Sequence, residues 1–170
     1  TTLVAPFDND GSVDLRAGTL ELQTDGGLGS TGAITLAPAT HLRTGTGAIT
    51  LGPAASVSGP GTLDVISGSL IVPATATWDV GVTHIWGTLT LDGERTIASL
   101  ALFGGTLAGS GTRTITSSLA LYGGTLTGSA TTSVAAGASL AIAPGGGATR
   151  LTIAGGHALR IEEGASATWG

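Results

Sequence analysis

The chain has 170 residues, of which thirty are glycine, 41% are hydrophobic and only 10% are charged. Its net charge of −5 comes from eleven carboxylates against six arginines and no lysine, which excludes a surface that tracks the phosphates of a nucleic acid. Cysteine is absent, so neither a disulfide framework nor a thiolate metal site is possible, and stability has to come from burial and backbone pairing.

Thr2-Leu3-Val4 opens in an apolar strand pattern, with neither the basic nor the long apolar region of a secretory leader; any such leader has been removed or lies on a longer parent. Asp8-Asn9-Asp10-Gly11-Ser12-Val13-Asp14 is the densest acidic run. A calcium loop of the EF-hand type starting at Asp8 would need Gly at its sixth position and Glu at its twelfth, where the sequence has Val13 and Thr19. The run reads as an Asx-rich turn feeding a strand from Ser12 to Arg16, with a weak calcium site as the alternative. Gly18-Thr-Leu-Glu-Leu22 then alternates apolar and polar residues, the signature of a strand with one buried face. The same Gly-Thr-Leu opening recurs at 61, 87, 105 and 124.

Two internal repeats set the architecture. Thr31-Gly-Ala-Ile-Thr-Leu36 returns as Thr46-Gly-Ala-Ile-Thr-Leu51, an offset of 15, and Ser99-Leu-Ala-Leu-Phe-Gly-Gly-Thr-Leu107 returns as Ser118-Leu-Ala-Leu-Tyr-Gly-Gly-Thr-Leu126, an offset of 19. Gly-Gly pairs at 26, 104, 123, 145 and 155 and prolines at 38, 53, 60, 73 and 144 leave no room for helices. These features predict an all-β chain, a parallel β-solenoid with coils of about 15–22 residues, forming one segment over residues 1–170 with no second domain. Eight or so coils at the ~4.8 Å strand spacing would make a rod of about 40 Å.

Within that fold, Phe103 and Tyr122 hold equivalent positions one repeat apart and are expected to stack in adjacent coils. Trp78 and Trp86 flank residues 79–85, and either form an aromatic contact surface for sugar or cap the core where a coil lengthens. Asp64, Asp79, Asp92 and Glu94 are scattered, with Asp92-Gly-Glu-Arg95 read as a corner holding a local ion pair and Glu162-Glu163 as a solvated corner. His41, His84 and His157 are far apart in sequence and read as isolated surface or edge residues rather than a metal triad. Thr-x-Thr triplets at 44, 75, 88, 112, 114 and 125 are irregularly spaced, which argues against a regular ice-binding ladder. The sequence thus nominates no catalytic residues, no cofactor and no metal ligands. The uncharged stretch between Arg113 and Arg150 lacks a continuous apolar run of about 20 residues, so membrane insertion by a helix is not expected.

The stretch Phe7-Asp-Asn-Asp-Gly-Ser-Val-Asp-Leu-Arg-Ala-Gly-Thr-Leu-Glu-Leu22, the run Ala55-Ser-Val-Ser-Gly-Pro-Gly-Thr-Leu63, the paired Gly-Gly-Thr-Leu-x-Gly-Ser units and the closing Ala167-Thr-Trp-Gly170 resemble the strand repeats of very long bacterial surface proteins, the filamentous-haemagglutinin-like adhesins and autotransporter passengers. The resemblance covers nearly the whole chain and implies a right-handed parallel β-helix, export and an extracellular life; it carries over no binding or catalytic residue. Both ends lack the polar cap of a finished solenoid, so the expected partners are other copies of the chain or adjoining repeats, meeting it through strand edges. The expected role is structural and non-enzymatic: a stalk or adhesin segment on the bacterial exterior, or a subunit stacking end to end into a fibre. A carbohydrate-binding module contacting surface glycans is the alternative, and a polysaccharide lyase or hydrolase on the same fold a further one.

Overall fold

The structure, a computed structural model, describes residues 1–23, 25–28, 31–143 and 150–170. The described residues form nineteen strands, all pairings between them are parallel, and no helix is present among them. The chain winds as a β-solenoid with three faces, visited in strict rotation. The first face stacks Thr2–Leu3, Thr19–Leu22, His41–Thr44, then 62–65, 82–85, 99–102 and 118–121, then Ser139–Ile142 and Ser166–Trp169. The second runs through Phe7–Asn9, Gly26–Leu28, Ala48–Leu51, Ser69–Val72, Thr88–Leu91, 106–108, 124–126 and Leu151–Ile153. The third begins with Ser12–Leu15, Ala33–Leu36, 56–58 and 77–80. It ends with 95–97, 112–115, Thr131–Val134 and Ala158–Ile161.

Alternation puts every second residue inward, and stacking converts those residues into columns. On the first face Leu20, Leu42, Leu63, Thr83, Leu100, Leu119 and Leu140 lie one above another. On the second, Ile49, Leu70, Leu89, Leu107 and Leu126 do the same. The three sets meet in one apolar core that runs along the axis. The hydroxyls of Thr44 and Thr83 are buried with no hydrogen-bond partner among the described residues. A buried hydroxyl without a partner costs about 1–3 kcal/mol. Thr44→Val and Thr83→Val, which keep the shape, are therefore expected to stabilise the protein by about 1 kcal/mol each, read as a raised urea midpoint at unchanged m.

The 19-residue repeat is a coil, because Ser99 stacks on Ser118 and Leu102 on Leu121. The 15-residue repeat is not. Ala33–Leu36 lies on the third face and Ala48–Leu51 on the second, so the offset spans two faces of a coil rather than a whole one. Ala33 stacks instead on Ser56, and Ala48 on Ser69. Real coil lengths run from 17 residues, Val82 to Ser99, to 27, Ser139 to Ser166, which corrects the expected 15–22. The short coils arise where the corner between the third and first faces shrinks, so that Thr77–Ile85 and Arg95–Ala108 pass through it as continuous strands.

Candidate functional site

The outward side of the first face carries the densest polar chemistry. One outward column reads Glu21, Arg43, Asp64, His84, Ala101, Ala120 and Ala141, and the neighbouring one Thr19, His41, Thr62, Val82, Ser99, Ser118 and Ser139. Three donors close over Asp64. His41 Nδ1 lies 2.9 Å from Oδ2, Arg43 Nε donates to Oδ2 at 3.2 Å, and His84 Nδ1 lies 2.9 Å from Oδ1. The Asp64 side chain is only 3% exposed despite pointing outward. Histidines that look isolated in sequence are therefore joined in space, because His41 and His84 sit two coils apart beside the same carboxylate. Among the described residues no group of three or more His, Asp or Glu is arranged to hold a metal ion.

Burial works to raise the Asp64 pKa, but the hydrogen bonds from His41, His84 and Arg43 and the charge of His41 together outweigh it, and the carboxyl is held below the usual range. Its contribution to stability is therefore present above the ordinary aspartate value near ~3.9 and is lost as pH falls through the lower folded value.

Beside this cluster, at the corner between the first and second faces, three aromatic rings stack along the axis. Trp86 and Phe103 lie 4.5 Å apart at 8°, and Phe103 and Tyr122 lie 4.8 Å apart at 12°. The ring separations match the spacing of paired strands, although the backbone register slips at this corner and sets Phe103 opposite Gly123. His84 stands edge-on to both Trp86 and Phe103, at 5.7 Å from each. Trp78 is elsewhere. It is buried in the core, in register with Val57 on the third face, so it shares no surface with Trp86. Its phase with Val80 puts it inward, whereas Trp86 follows the inward Ile85 at a corner.

Inside the second-to-third corner lies a polar column that the sequence reading missed. Arg95 stacks on Arg113, and Arg113 on Thr132, all three pointing inward. Arg95 does not pair with Glu94; its guanidinium donates to the backbone oxygens of Asp92, Ala76 and Pro73 at 2.9, 2.6 and 2.6 Å. Arg113, fully buried, donates through Nη2 to the oxygens of Leu91 and Ala108, while its Nε and Nη1 have no partner among the described residues. Burial lowers its pKa to about 10. Arg95-x-Ile97 and Arg113-x-Ile115 share one phase, the sequence signal for two inward arginines.

Leu159 is next in register above Thr132, and His157 turns in beside it to meet the column instead of lying on the surface. His157 is buried, with Nε2 3.1 Å from the Thr132 hydroxyl and Nδ1 3.2 Å from the oxygen of Thr127. Burial, aided by the charge of Arg113, lowers its pKa against the opposing hydrogen bond to Thr127. The neutral form is favoured in the fold, so its stability contribution is full above the ordinary histidine value near ~6.5 and declines as pH falls through the lower folded one. Melting temperature is therefore expected to drop in two acid stages. His157→Gln should flatten the stage that starts near pH ~6.5, and Asp64→Asn the one below pH ~4, each checked by calorimetry across pH.

Of the acids that sequence left scattered, Asp92 and Glu94 brace corners, as does Asp25. Asp25 accepts from the Ala48 N–H at 2.7 Å, Asp92 from Ser110 N–H at 2.9 Å and Glu94 from Thr112 N–H at 3.1 Å, each on the next coil. Glu162 accepts from the Ser133 hydroxyl at 2.6 Å and from Arg160 Nε at 3.0 Å. Asn9 closes the turn before Ser12–Leu15, accepting from Gly11 N–H at 3.1 Å and donating to the oxygen of Ala33 at 3.3 Å. On the second face Thr88, Thr106, Thr125 and Thr152 do form a column, but the parallel column mixes Ile71, Thr90 and Ala108. No family model, no curated protein and no solved structure matches this chain.

Proposed function

We propose that this chain is a non-enzymatic structural segment of the bacterial cell exterior, a β-solenoid stalk or adhesive surface that extends by adding rungs, whether of one chain or of stacked copies. One observation carries the reading. Each coil pairs its strands in parallel with those of the next, and the inward columns join into one apolar core along the axis, so every coil is built to be covered by a neighbour of the same kind. The corner-bracing acids support the same reading, since their oxygens are engaged in holding coils together.

Negative-stain electron microscopy and light scattering of the purified chain test the stacking form. End-to-end filaments are expected, and a monomer that stays monomeric at high concentration sinks that form. For the stalk form, protease shaving and antibody labelling of intact cells are expected to reach the segment; labelling that appears only after lysis would remove the exterior assignment.

A further inference from the structure

We infer that the open face of Trp86 is a binding subsite for an acidic pyranose, a six-membered sugar ring bearing a carboxylate. The aromatic ladder begins at Trp86. One face of its indole is covered by Phe103, while the side chain remains 41% exposed. His84 does not cover the other face: lying 5.7 Å from both Trp86 and Phe103, it sits midway beside the stack. In the next slot down the corner, Ile66 follows Val65 as Trp86 follows Ile85. Ile66 is shorter than an indole and is itself 40% exposed, so the outer part of Trp86 overhangs it. The Trp86 backbone is pinned to that lower rung, because the N–H groups of Trp86 and Gly87 both donate to the Val65 oxygen at 2.8 Å.

The level of Ile66 is one rung, about 4.8 Å, below Trp86, so a single flat ring lying outside Ile66 would continue the ladder. A pyranose presents a C–H face to an aromatic ring and hydroxyls around its rim, so an apolar ring beside hydrogen-bonding side chains matches it. The polar groups on this side are His84, which stands beside Trp86, and Arg43, which lies one rung below Ile66 and shares Asp64 with His84. Arg43 spends Nε on Asp64, and its side chain is 42% exposed, leaving the outer edge of the guanidinium for a ligand. That edge is a carboxylate-binding fork. Asp64 is already engaged by three donors, and the Glu21 carboxylate takes the Gln23 amide at 2.6 Å, so each acid beside Arg43 is held by its own hydrogen bonds.

The inference goes beyond the structural role and stands whether or not filaments form. Its test is calorimetric or saturation-transfer NMR titration with tetragalacturonate and with its neutral methyl-esterified counterpart. Saturable binding is expected, at least about tenfold tighter for the acid form and weakened by salt. Trp86→Ala should weaken both sugars by about tenfold or more, and Arg43→Gln should bring the acidic sugar down to the neutral one. Ile66→Trp, which fills the slot with a fourth ring without disturbing the core, should abolish binding in a protein of unchanged circular dichroism and melting temperature at or above that of the parent. Absence of saturable binding, or binding indifferent to Trp86→Ala or Ile66→Trp, overturns the subsite; equal affinity for the two sugars overturns its acidic class.

Discussion

Arg113→Ala is expected to cost about 3–5 kcal/mol and to split urea unfolding into two transitions. The guanidinium ties the Leu91 and Ala108 oxygens from inside the core, so its loss leaves a cavity and unpaired acceptors where neighbouring coils meet. In a stacked array each coil is stabilised by its neighbours, and a weak interface in the middle lets the two sides melt separately. Arg113→Met is the informative companion. It fills much of the volume and removes the two buried nitrogens that have no partner among the described residues, so it is expected to cost only about 1–2 kcal/mol and to keep a single transition. Equal losses for the two variants would show that volume is irrelevant and that the carbonyl ties carry the whole effect.

Gly59→Ala is expected to be nearly as damaging, at about 3 kcal/mol or more, measured by the shift in urea midpoint. Gly59 has φ of 116°, and a Cβ there would lie 2.2 Å from the Leu36 oxygen, a backbone atom that cannot move without disturbing the coil below. The register slips between Val80 and Val82 on the coil above, so this corner is where the winding tightens. Gly18→Ala serves as the control. Its φ of 75° is also left-handed, but none of the described residues lies within 4 Å of the added carbon, and the expected cost is only about 1 kcal/mol.

These two positions show what alternation can and cannot convey. The phase of each strand was legible: Leu100, Leu102, Leu119 and Leu121 point inward as their period-2 pattern requires. Stacking of adjacent coils was legible where whole segments repeat, so Phe103 and Tyr122 meet as their 19-residue offset implies. The 15-residue offset misled because the three faces share one strand geometry, and the same Ala-Ile-Thr-Leu suits any of them. The cluster on Asp64 was hidden for a related reason. His41, Asp64 and His84 meet only through the lengths of two intervening coils, and those lengths are set by corners such as Gly59-Pro60-Gly61, whose size follows from close approach to the coil below. Arg95 and Arg113 were in plain phase with isoleucine, but Arg95 was read as one partner of a corner ion pair and Arg113 was given no place in the fold. Carbonyls crowded inside a corner supply enough acceptors to bring a guanidinium inward.

The direction of the ladder bonds has a mechanical consequence. Because strands lie across the axis, the hydrogen bonds between coils point along it, and tension applied at the two ends of the rod loads them one row at a time. The rod should peel, coil by coil, rather than resist as a sheared sheet does. Each coil released pays out its own contour: about 90 Å from the 27-residue coil between Ser139 and Ser166 and roughly 55 Å from the 17-residue one between Val82 and Ser99, at about 3.3 Å per residue. Under a pulling optical trap the trace would be a staircase of unequal steps at low force, the behaviour of a tether that yields and rewinds.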